Sequence, residues 1–430
     1  VPQVGSDPYF RKPPLVNWLV AGSFKLFGQR SEWAARFPST LCVLAVALAL
    51  VTVARQALGA SGSLIAAIVW LTNFGMLEKG RLIEIEALYV SLCGLAFIGW
   101  FSWWLGRRSS WLTWTFPWVF LGLGLLAKGP LLLVFFYVIV VAVLYRTREL
   151  RSLINLPHLL GLGLMLAIFA AWAVPCFLAM RESGVAHAWS RQLSGRFSGE
   201  DFKLASWLMN MPRGLGYLLP WTPILLFVNR VTHCEARTSA AAKGLLWGIA
   251  VSFVGVSLLP GALPRYTMPL LVPAAALIAM LLTADENPLP TWMRSPWPRT
   301  LPADSRLPAI VTAAVCLFML IYAFALMPTL RKREKVRNIA AQINAALPTN
   351  EPLFAVNPDY QPFLFYVRDP IVYVGRTADL PVGAKYILVQ PQGEKEVIGS
   401  SRWQPLAARP ILRLKDYRNK EVILLRVGAR

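Results

Sequence analysis

The sequence predicts an all-α polytopic membrane protein that carries a small extramembrane α/β domain at its C-terminus. Of its 430 residues, 56% are hydrophobic and only 15% are charged, whereas about 25% of the residues of an ordinary soluble domain are charged. Long apolar runs recur as far as Met327, and beyond that residue the composition becomes that of a soluble domain. The high apolar fraction also excludes a disordered chain.

The first observation is the series of apolar runs. A membrane-spanning helix needs about 20 predominantly apolar residues, with a lower limit near 17. About ten such runs fall within residues 38–328, which we interpret as the membrane domain. Their approximate bounds are Pro38 to Ala57, Leu64 to Leu77, Ala87 to Leu105, Trp111 to Ala127, Leu131 to Tyr145, Leu159 to Met180, Gly214 to Val228, Leu245 to Leu259, Met268 to Leu282 and Ala309 to Leu326.

The second observation is the distribution of positive charge. A net charge of +21 would favour a nucleic-acid partner in a soluble protein, but membrane proteins concentrate Lys and Arg in their cytoplasmic loops. Every second loop carries such residues: Arg55; Arg107 and Arg108; Arg146, Arg148 and Arg151; Arg230, Arg237 and Lys243; Arg294 and Arg299. These loops are predicted to be cytoplasmic. The other loops and both ends of the chain then face the outside, which is the periplasm in a Gram-negative bacterium, and no nucleic-acid partner is needed.

The third observation is the change of pattern in residues 329–430. Helical periodicity is followed there by short β-branched and aromatic runs, which are typical of a small α/β domain. The predicted helices are Glu334 to Ala346 and Gln361 to Val367, and the predicted strands are Leu353 to Val356, Ile371 to Val374, Tyr386 to Val389 and Val422 to Val427. The domain has no glycine-rich nucleotide-binding pattern.

The first 37 residues are predicted to form an outer-face segment. Val16 to Phe27 is a short amphipathic stretch whose length suits a helix lying along the membrane surface. With ten crossings, a chain that starts in the cytoplasm needs one more helix in front of Val1. We therefore expect this sequence to lack a first transmembrane helix.

Lys12 lies just before the amphipathic stretch, in the sequence Tyr9 to Leu15. One interpretation is an interfacial lysine that extends to water. The other is a phosphate ligand, because an ammonium group beside a bilayer can hold a lipid phosphate as a point charge.

Glu84 and Glu86 lead directly into an apolar run, where a carboxylate is costly unless it has a partner or a function. They are candidate catalytic carboxylates. An ordinary loop in which Arg81 neutralises one acid explains the pattern equally well, so Arg81 is assigned a supporting role.

Two further cations interrupt apolar segments. Lys128, with Gly129 and Pro130, breaks an apolar stretch of more than thirty residues, and a turn does not by itself require Lys. Arg265 lies at the outer end of another run. Each could contact lipid headgroups generally, or the two could surround a cavity for an anionic lipid.

The order of these segments resembles that of the bacterial membrane glycosyltransferases with the GT-C fold. More narrowly, it resembles the group related to protein O-mannosyltransferases and to the aminoarabinose transferase that modifies lipid A. The resemblance covers almost all of the membrane portion. It rests on Tyr9 to Leu15, Glu32 to Ser39, Arg81 to Leu88, Lys128 to Pro130, Pro220-Trp221, and Pro264-Arg265-Tyr266 with Pro269 and Pro273.

The resemblance implies an enzyme that transfers a sugar from a polyprenyl-phosphate donor to an acceptor at the outer face, where the acceptor is a lipid, glycan or protein. It assigns Lys12 to the donor phosphate and Glu86 or Glu84 to the second acidic position of the outer face. Arg265 and Lys128 would be further donor contacts. Such chemistry needs a carboxylate near the acceptor and positive charge on the departing phosphate.

Two departures from the family pattern bear on these expectations. The principal catalytic Asp of the family follows the first transmembrane helix, so we expect it to precede Val1. Arg11 stands where relatives often have an acidic residue beside the lysine. The resemblance allows a divalent metal, but the residues present indicate no metal ligands and require no cofactor.

Two other classes of function compete with the enzyme. A multi-span transporter or lipid flippase would place polar residues near the bilayer midplane, whereas here the ionisable residues crowd one interface. A purely structural anchor leaves the outer-face cations unexplained.

Overall fold

The structure is a computed structural model. It describes residues 3–4, 7–8, 12–179, 204–230, 235–284, 303–331, 335–358, 361–368, 370–400, 408–416 and 418–428. The chain divides into two compact units, Phe10–Cys316 and Val1–Tyr9 with Leu317–Arg430.

Most of the described residues up to Arg331 are helical. The helices are α1 Leu15–Phe27, α2 Glu32–Thr52, α3 Arg55–Thr72, α4 Phe74–Lys79, α5 Ile85–Leu105, α6 Ser110–Ala127, α7 Leu131–Arg146, α8 Leu156–Ala179, α9 Leu204–Leu208, α10 Asn210–Gly216, α11 Ala236–Ser257, α12 Leu271–Leu282, α13 Ala303–Ile321 and α14 Met327–Arg331. Short 3₁₀ helices occupy Leu150–Leu153, Thr222–Arg230 and Pro264–Leu270, and a π-helical turn at Tyr322–Leu326 joins α13 to α14.

Seven helical segments of the described chain are long and apolar enough to cross a bilayer. They are α2, α5, α6, α8, α11, Pro264–Leu282 and Arg306–Thr329. The protein is therefore a multi-span membrane protein, as predicted. The predicted total of about ten spans stays a prediction, because α7 is apolar but short and other residues lie outside the described ranges.

Helix α5 is the central helix of the membrane unit. Its 21 residues extend about 32 Å, enough to cross a hydrocarbon core of about 30 Å. Nearly all of its side chains are buried against neighbouring helices, whereas most leucines of α8 are exposed. In a bilayer, exposed leucines face lipid tails, so α8 lies at the rim of the bundle and α5 positions groups inside it.

Small residues bring α7 and α11 into close contact. A Cβ atom added to Gly244 would lie 2.6 Å from the Cα of Val143, and one added to Gly248 would lie 2.7 Å from the Cα of Ile139. Gly244 and Gly248 are four residues apart on one helix face, the spacing through which membrane helices approach each other.

Asn73 ends α3 and begins α4. Its amide group donates hydrogen bonds to the carbonyls of Val69 and Trp70, and its side-chain oxygen accepts one from the backbone N–H of Met76. This polar residue breaks the predicted run Leu64 to Leu77 at a position that periodicity alone does not reveal.

The predicted run Gly214 to Val228 is not one continuous helix. Helix α10 ends at Gly216, and a turn follows whose carbonyls at Tyr217 and Leu219 accept hydrogen bonds from the backbone of Gly75 and Phe74. The Trp221 indole also donates to the Thr72 hydroxyl at 3.0 Å. The segment is apolar because it packs on the start of α4.

The C-terminal part of the second unit contains a five-stranded sheet. Its strands are β3 Leu353–Val356, β4 Ile371–Val374, β5 Tyr386–Val389, β6 Arg409–Lys415 and β7 Glu421–Arg426, in the order β4-β3-β5-β7-β6. Strands β1 Gln3–Val4 and β2 Asp7–Pro8 form a separate two-stranded ladder. β3 is parallel to β4 and β5, while β7 is antiparallel to β5 and β6. Helices α15 Lys335–Ala346 and α16 Pro391–Gly399 and 3₁₀ turns at Pro362–Tyr366 and Thr377–Asp379 complete it.

The sequence analysis missed β6 and α16. Strand β6 is an edge strand in which Arg409, Arg413 and Lys415 are exposed, so it lacks the apolar run of a buried strand, and Pro410 is typical of an edge. Helix α16 buries Val397 alone, which leaves no apolar stripe to detect. The α/β class of this domain is nevertheless confirmed.

Candidate functional site

Three of the predicted site residues meet at one end of the membrane unit. Glu86 lies in the first turn of α5, Lys128 follows the last residue of α6, and Arg265 is the second residue of the 3₁₀ helix Pro264–Leu270. Because α5 begins where α6 ends, their termini bring Glu86 and Lys128 together across 42 positions of sequence.

A single carboxylate oxygen joins the three side chains. Glu86 Oε1 lies 3.0 Å from Lys128 Nζ and 3.1 Å from Arg265 Nε. The Lys128 contact is a hydrogen bond, whereas the Arg265 N–H is not aligned with the oxygen and forms only an ion pair. The side chains of Glu86 and Lys128 are 9% and 12% exposed, and that of Arg265 is 42% exposed. Glu86 is thus enclosed and Arg265 reaches solvent.

Two tyrosine rings flank the lysine. Lys128 Nζ lies 5.3 Å from the ring centroid of Tyr89 and 4.9 Å from that of Tyr266, within the range of cation–π attraction. The sequence analysis did not assign either tyrosine to the site. The signal was present, since Tyr89 lies three residues after Glu86 on one helix face and Tyr266 follows Arg265.

The same side chains form one wall of a cavity of about 190 Å³. Its lining is mostly apolar, and Lys128 is the charged residue among the lining residues: Tyr89, Lys128, Gly129, Pro130, Leu131, Val134, Leu259, Gly261, Ala262 and Tyr266. Glu86 does not line it. The cavity therefore combines apolar walls with one ammonium group.

A second ion cluster involves Glu84, the residue that precedes α5. Lys79 Nζ lies 3.2 Å from Glu84 Oε1 and 3.1 Å from Glu78 Oε1. Burial alone would lower the pKa of the Lys79 ammonium, but hydrogen bonds and charges from Glu78 and Glu84 outweigh it and raise this pKa above its ordinary value. Glu84 Oε2 is buried and has no hydrogen-bond partner among the described residues.

Charges from both clusters act on the Tyr217 hydroxyl. Burial raises the pKa of its hydroxyl, and the charge of Glu78 raises it further, while Lys79 and Arg265 act in the opposite direction. The ring therefore lies within electrostatic reach of both ion clusters, which share one end of the bundle.

The remaining predicted cations make no contact with Glu86 among the described residues. Lys12 is exposed before α1, and Arg81 is partly exposed in the loop between α4 and α5. No hydrogen bond or ion pair between described residues joins either of them to Glu86, Lys128 or Arg265. Arg11 is outside the described residues.

A different ion cluster closes the opposite end of α5. Glu149 Oε2 accepts hydrogen bonds from the Trp104 indole at 2.9 Å and from Arg237 at 3.1 Å, and the Arg237 guanidinium lies 4.5 Å from the Trp104 ring centroid. It does not line the cavity, so we interpret it as structural.

A divalent metal finds no obvious ligands in the described part of the chain. No three His, Cys, Asp or Glu side chains converge there as a metal site would require. The carboxylate of Glu86 is instead engaged by two cations, an environment that disfavours a third.

The chain matches one family model and several curated relatives. Residues 11–174 match the family model described as dolichyl-phosphate-mannose-protein mannosyltransferase. The chain is 26% identical over 282 residues to undecaprenyl phosphate-alpha-4-amino-4-deoxy-L-arabinose arabinosyl transferase 1 of Pseudomonas fluorescens, an alignment that covers 64% of this chain and 50% of the relative. A transferase of this name, numbered 2, from Proteus mirabilis is 25% identical over 292 residues, which cover 65% and 51% of the two chains. The chain spans about half the length of these curated relatives.

Solved structures decide the fold. ArnT from Cupriavidus metallidurans, in its apo state and bound to undecaprenyl phosphate, superposes with a TM-score of 0.64 at 18% identity, over 97% of this chain and 88% of ArnT. The chain has the GT-C fold. It is similar to ArnT in fold and, over residues 11–174, to the protein mannosyltransferase family model, as the sequence analysis predicted. The segment that matches the family model, residues 11–174, includes Lys12, Glu86 and Lys128, whereas Arg265 lies outside it.

Proposed function

We propose that this protein transfers a sugar from a polyprenyl-phosphate donor to a cell-envelope acceptor, which is a lipid, glycan or protein. The observation that carries the proposal is the Glu86–Lys128–Arg265 cluster beside an apolar cavity with Lys128 in its wall. A polyprenyl phosphate has the matching chemistry, since it joins an apolar chain to an anionic headgroup. The names of the relatives, which contain undecaprenyl phosphate, support the same donor class.

In this proposal the cations bind the donor phosphate. Lys128 contacts it from the cavity wall, and Arg265, which is partly exposed, is free to turn toward it. Lys12 supplies a third positive charge from the segment before α1. Phosphate binding by ammonium and guanidinium groups is favourable because charge-assisted hydrogen bonds are short and strong.

The proposed reaction is a displacement at the anomeric carbon. The acceptor hydroxyl loses its proton to a carboxylate, its oxygen forms the new bond to the anomeric carbon, and the bond from that carbon to the phosphate oxygen breaks. The electron pair stays on the phosphate, whose added negative charge Lys128 and Arg265 stabilise.

The two carboxylates differ in their availability for the proton transfer. Glu86 Oε1 is held between two cations, so this oxygen cannot take up a proton without losing an ion pair. Glu84 keeps one oxygen that has no partner among the described residues, and this oxygen could accept the proton after a small movement. We therefore assign the base role in this chain to Glu84 before Glu86, with Arg81 in support.

We infer from the loop charges that this end of the bundle faces the periplasm of a bacterial inner membrane. Arg107, Arg108, Arg146 and Arg148 all lie near the opposite end of the described helices, and basic loops favour the cytoplasm. The domain that begins near residue 329 is assigned to the periplasm by the same alternation.

The test is donor binding and transfer by the protein reconstituted in lipid nanodiscs. We expect the full-length protein to bind undecaprenyl phosphate, and to release that lipid when given an undecaprenyl-phosphate sugar and an envelope extract. The substitution Lys12→Ala should raise the dissociation constant for undecaprenyl phosphate about tenfold, because one charge-assisted hydrogen bond is lost. Lys25→Ala is the matched control, because Lys25 is also an exposed lysine of this segment.

Two outcomes would contradict the proposal. Absence of undecaprenyl phosphate binding would exclude this donor class. Transbilayer movement of the lipid without sugar transfer would identify a flippase instead. Equal effects of the two lysine substitutions would remove Lys12 from the site and leave the rest of the proposal standing.

A further inference from the structure

Glu86 is positioned behind the lysine of the cavity wall. Lys128 lines the cavity and also contacts Glu86 Oε1 at 3.0 Å, whereas Glu86 is buried and does not line the cavity. An anion bound to Lys128 from the cavity side would therefore lie about two ion-pair lengths from the Glu86 carboxylate. At such a distance, and out of bulk water, like charges still repel appreciably.

The tyrosines restrict how far the lysine can move away from Glu86. Lys128 Nζ lies close to the rings of both Tyr89 and Tyr266, and its backbone is followed by Gly129 at φ +118° and by Pro130. These contacts favour a position of the ammonium near Glu86 while a ligand occupies the cavity. The repulsion between the ligand and Glu86 is then built into the site.

The charge of a polyprenyl phosphate changes during the proposed reaction. The sugar donor is a phosphodiester with one negative charge. The released polyprenyl phosphate is a monoester, whose second pKa near 6 gives it a charge of about −1.5 to −2 at pH 7. A fixed carboxylate nearby repels the product about twice as strongly as it repels the donor.

We propose that Glu86 is an internal counter-ion that lowers the preference of this site for the doubly charged product. In the empty site it neutralises Lys128 and holds Arg265 within ion-pair distance. With lipid phosphate bound, its repulsion increases with the charge of the ligand and so favours product release. The inference rests on the proposed function, since it assumes that a lipid phosphate occupies this cavity, and it gives Glu86 an electrostatic role, separate from proton transfer.

The test compares two ligands in three proteins. Dissociation constants are measured at pH 7.5 in nanodiscs for undecaprenyl phosphate and for its phosphate methyl ester, which keeps a single charge. Glu86→Gln keeps the size and the acceptor oxygen of the side chain but removes the charge. We expect the preference for the monoester over the methyl ester to rise about tenfold in E86Q. Glu78→Gln, which removes an acid paired with Lys79 at the same end of the bundle, should leave the preference unchanged.

Each outcome decides between the two proposals. An unchanged or lower monoester preference in E86Q would overturn the counter-ion role while leaving the proposed function intact. A rise of equal size in E78Q would overturn it too, because the effect would then reflect net charge alone. No binding of either ligand to the wild-type protein would overturn both. Glu86→Met removes the charge at similar length and replaces E86Q if that variant does not fold.

Discussion

The carboxylate of Glu86 and the ammonium of Lys128 lie 3.0 Å apart, although 42 positions separate them in sequence. Both side chains are nearly enclosed. Removing one partner of a buried ion pair leaves an uncompensated charge, whereas removing both can be almost neutral. A substitution that changes the charge of Glu86 or Lys128 should therefore also change the stability of the contact between α5 and the end of α6.

A double-mutant cycle measures this link. Lys128→Met should lower the free energy of unfolding by about 3–5 kcal/mol, because Glu86 then loses its aligned and buried cationic partner. Adding E86Q to K128M should restore part of that loss, with a coupling of about 0.5–3 kcal/mol. Reversible denaturation in mixed micelles checks both values. Strictly additive effects would show that the pair contributes no coupling energy.

The contact between α7 and α11 provides a second prediction. Gly248→Val would force its side chain against the backbone of Ile139, and overpacking of this kind costs about 1–3 kcal/mol. The control is Gly255→Val on the same helix, since nothing lies within 4 Å of a Cβ atom added there. Thermal unfolding of the two variants should differ by several degrees. Equal melting temperatures would mean that the close approach does not hold the bundle together.

These cases show what the sequence could and could not supply. Charge and hydropathy identified Glu86, Lys128 and Arg265 separately as candidate site residues, because a charged group next to an apolar run is energetically costly. They could not pair Glu86 with Lys128, since the pairing depends on which helix ends meet. Nor did they identify Tyr89 as a neighbour of Lys128. Its spacing from Glu86 was a signal, but a tyrosine in a membrane helix is common for other reasons.

The same distinction applies to the C-terminal domain. Strands β3, β4 and β5 were predicted at the bounds the structure gives, because each is a short β-branched or aromatic run between turn residues. Strand β6 was missed because an edge strand exposes most of its side chains. The position of β6 at the edge of the sheet depends on tertiary structure, and no local sequence pattern indicates it.

A buried hydrogen-bond chain offers a third prediction. The Trp118 indole donates to the Tyr137 hydroxyl at 3.0 Å, and that hydroxyl lies 2.9 Å from His158 Nε2. His158 Nδ1 lies 2.7 Å from the Leu153 carbonyl, which requires its proton on Nδ1, so Nε2 accepts from Tyr137. The side-chain polar groups of Trp118, Tyr137 and His158 therefore all have hydrogen-bond partners.

Tyr137→Phe should therefore cost more than the loss of one hydroxyl suggests. It leaves both the Trp118 N–H and His158 Nε2 without a partner, a penalty of about 1–3 kcal/mol. Tyr145→Phe on the same helix is the control, because the Tyr145 side chain is exposed. Denaturation midpoints compare the two variants, and a Y137F midpoint equal to that of Y145F would show that water or lipid satisfies these groups.

The structural role assigned to the cluster at the other end of α5 can be separated from donor binding. Glu149→Gln weakens the contacts of one carboxylate with Trp104 and Arg237, so we expect a lower melting temperature. Because none of these three residues lines the cavity, the dissociation constant for undecaprenyl phosphate should stay within about twofold of wild type. A change above tenfold at unchanged melting temperature would instead place this cluster on the path of the ligand.

The last prediction concerns the side of the membrane on which the site lies, since the donor class depends on it. Lipid-linked sugars serve reactions at the outer face, whereas nucleotide sugars are available in the cytoplasm. The loop charges place Arg148 in the cytoplasm and the C-terminal domain outside. A reporter that is active only in the periplasm should therefore work when fused after Arg430 and fail when inserted at Arg148. A reporter that is active only in the cytoplasm should give the reverse pattern. If both reporters gave the opposite results, Glu86, Lys128 and Arg265 would face the cytoplasm, and a phosphate-bearing nucleotide sugar would become the donor to test in the same binding assay.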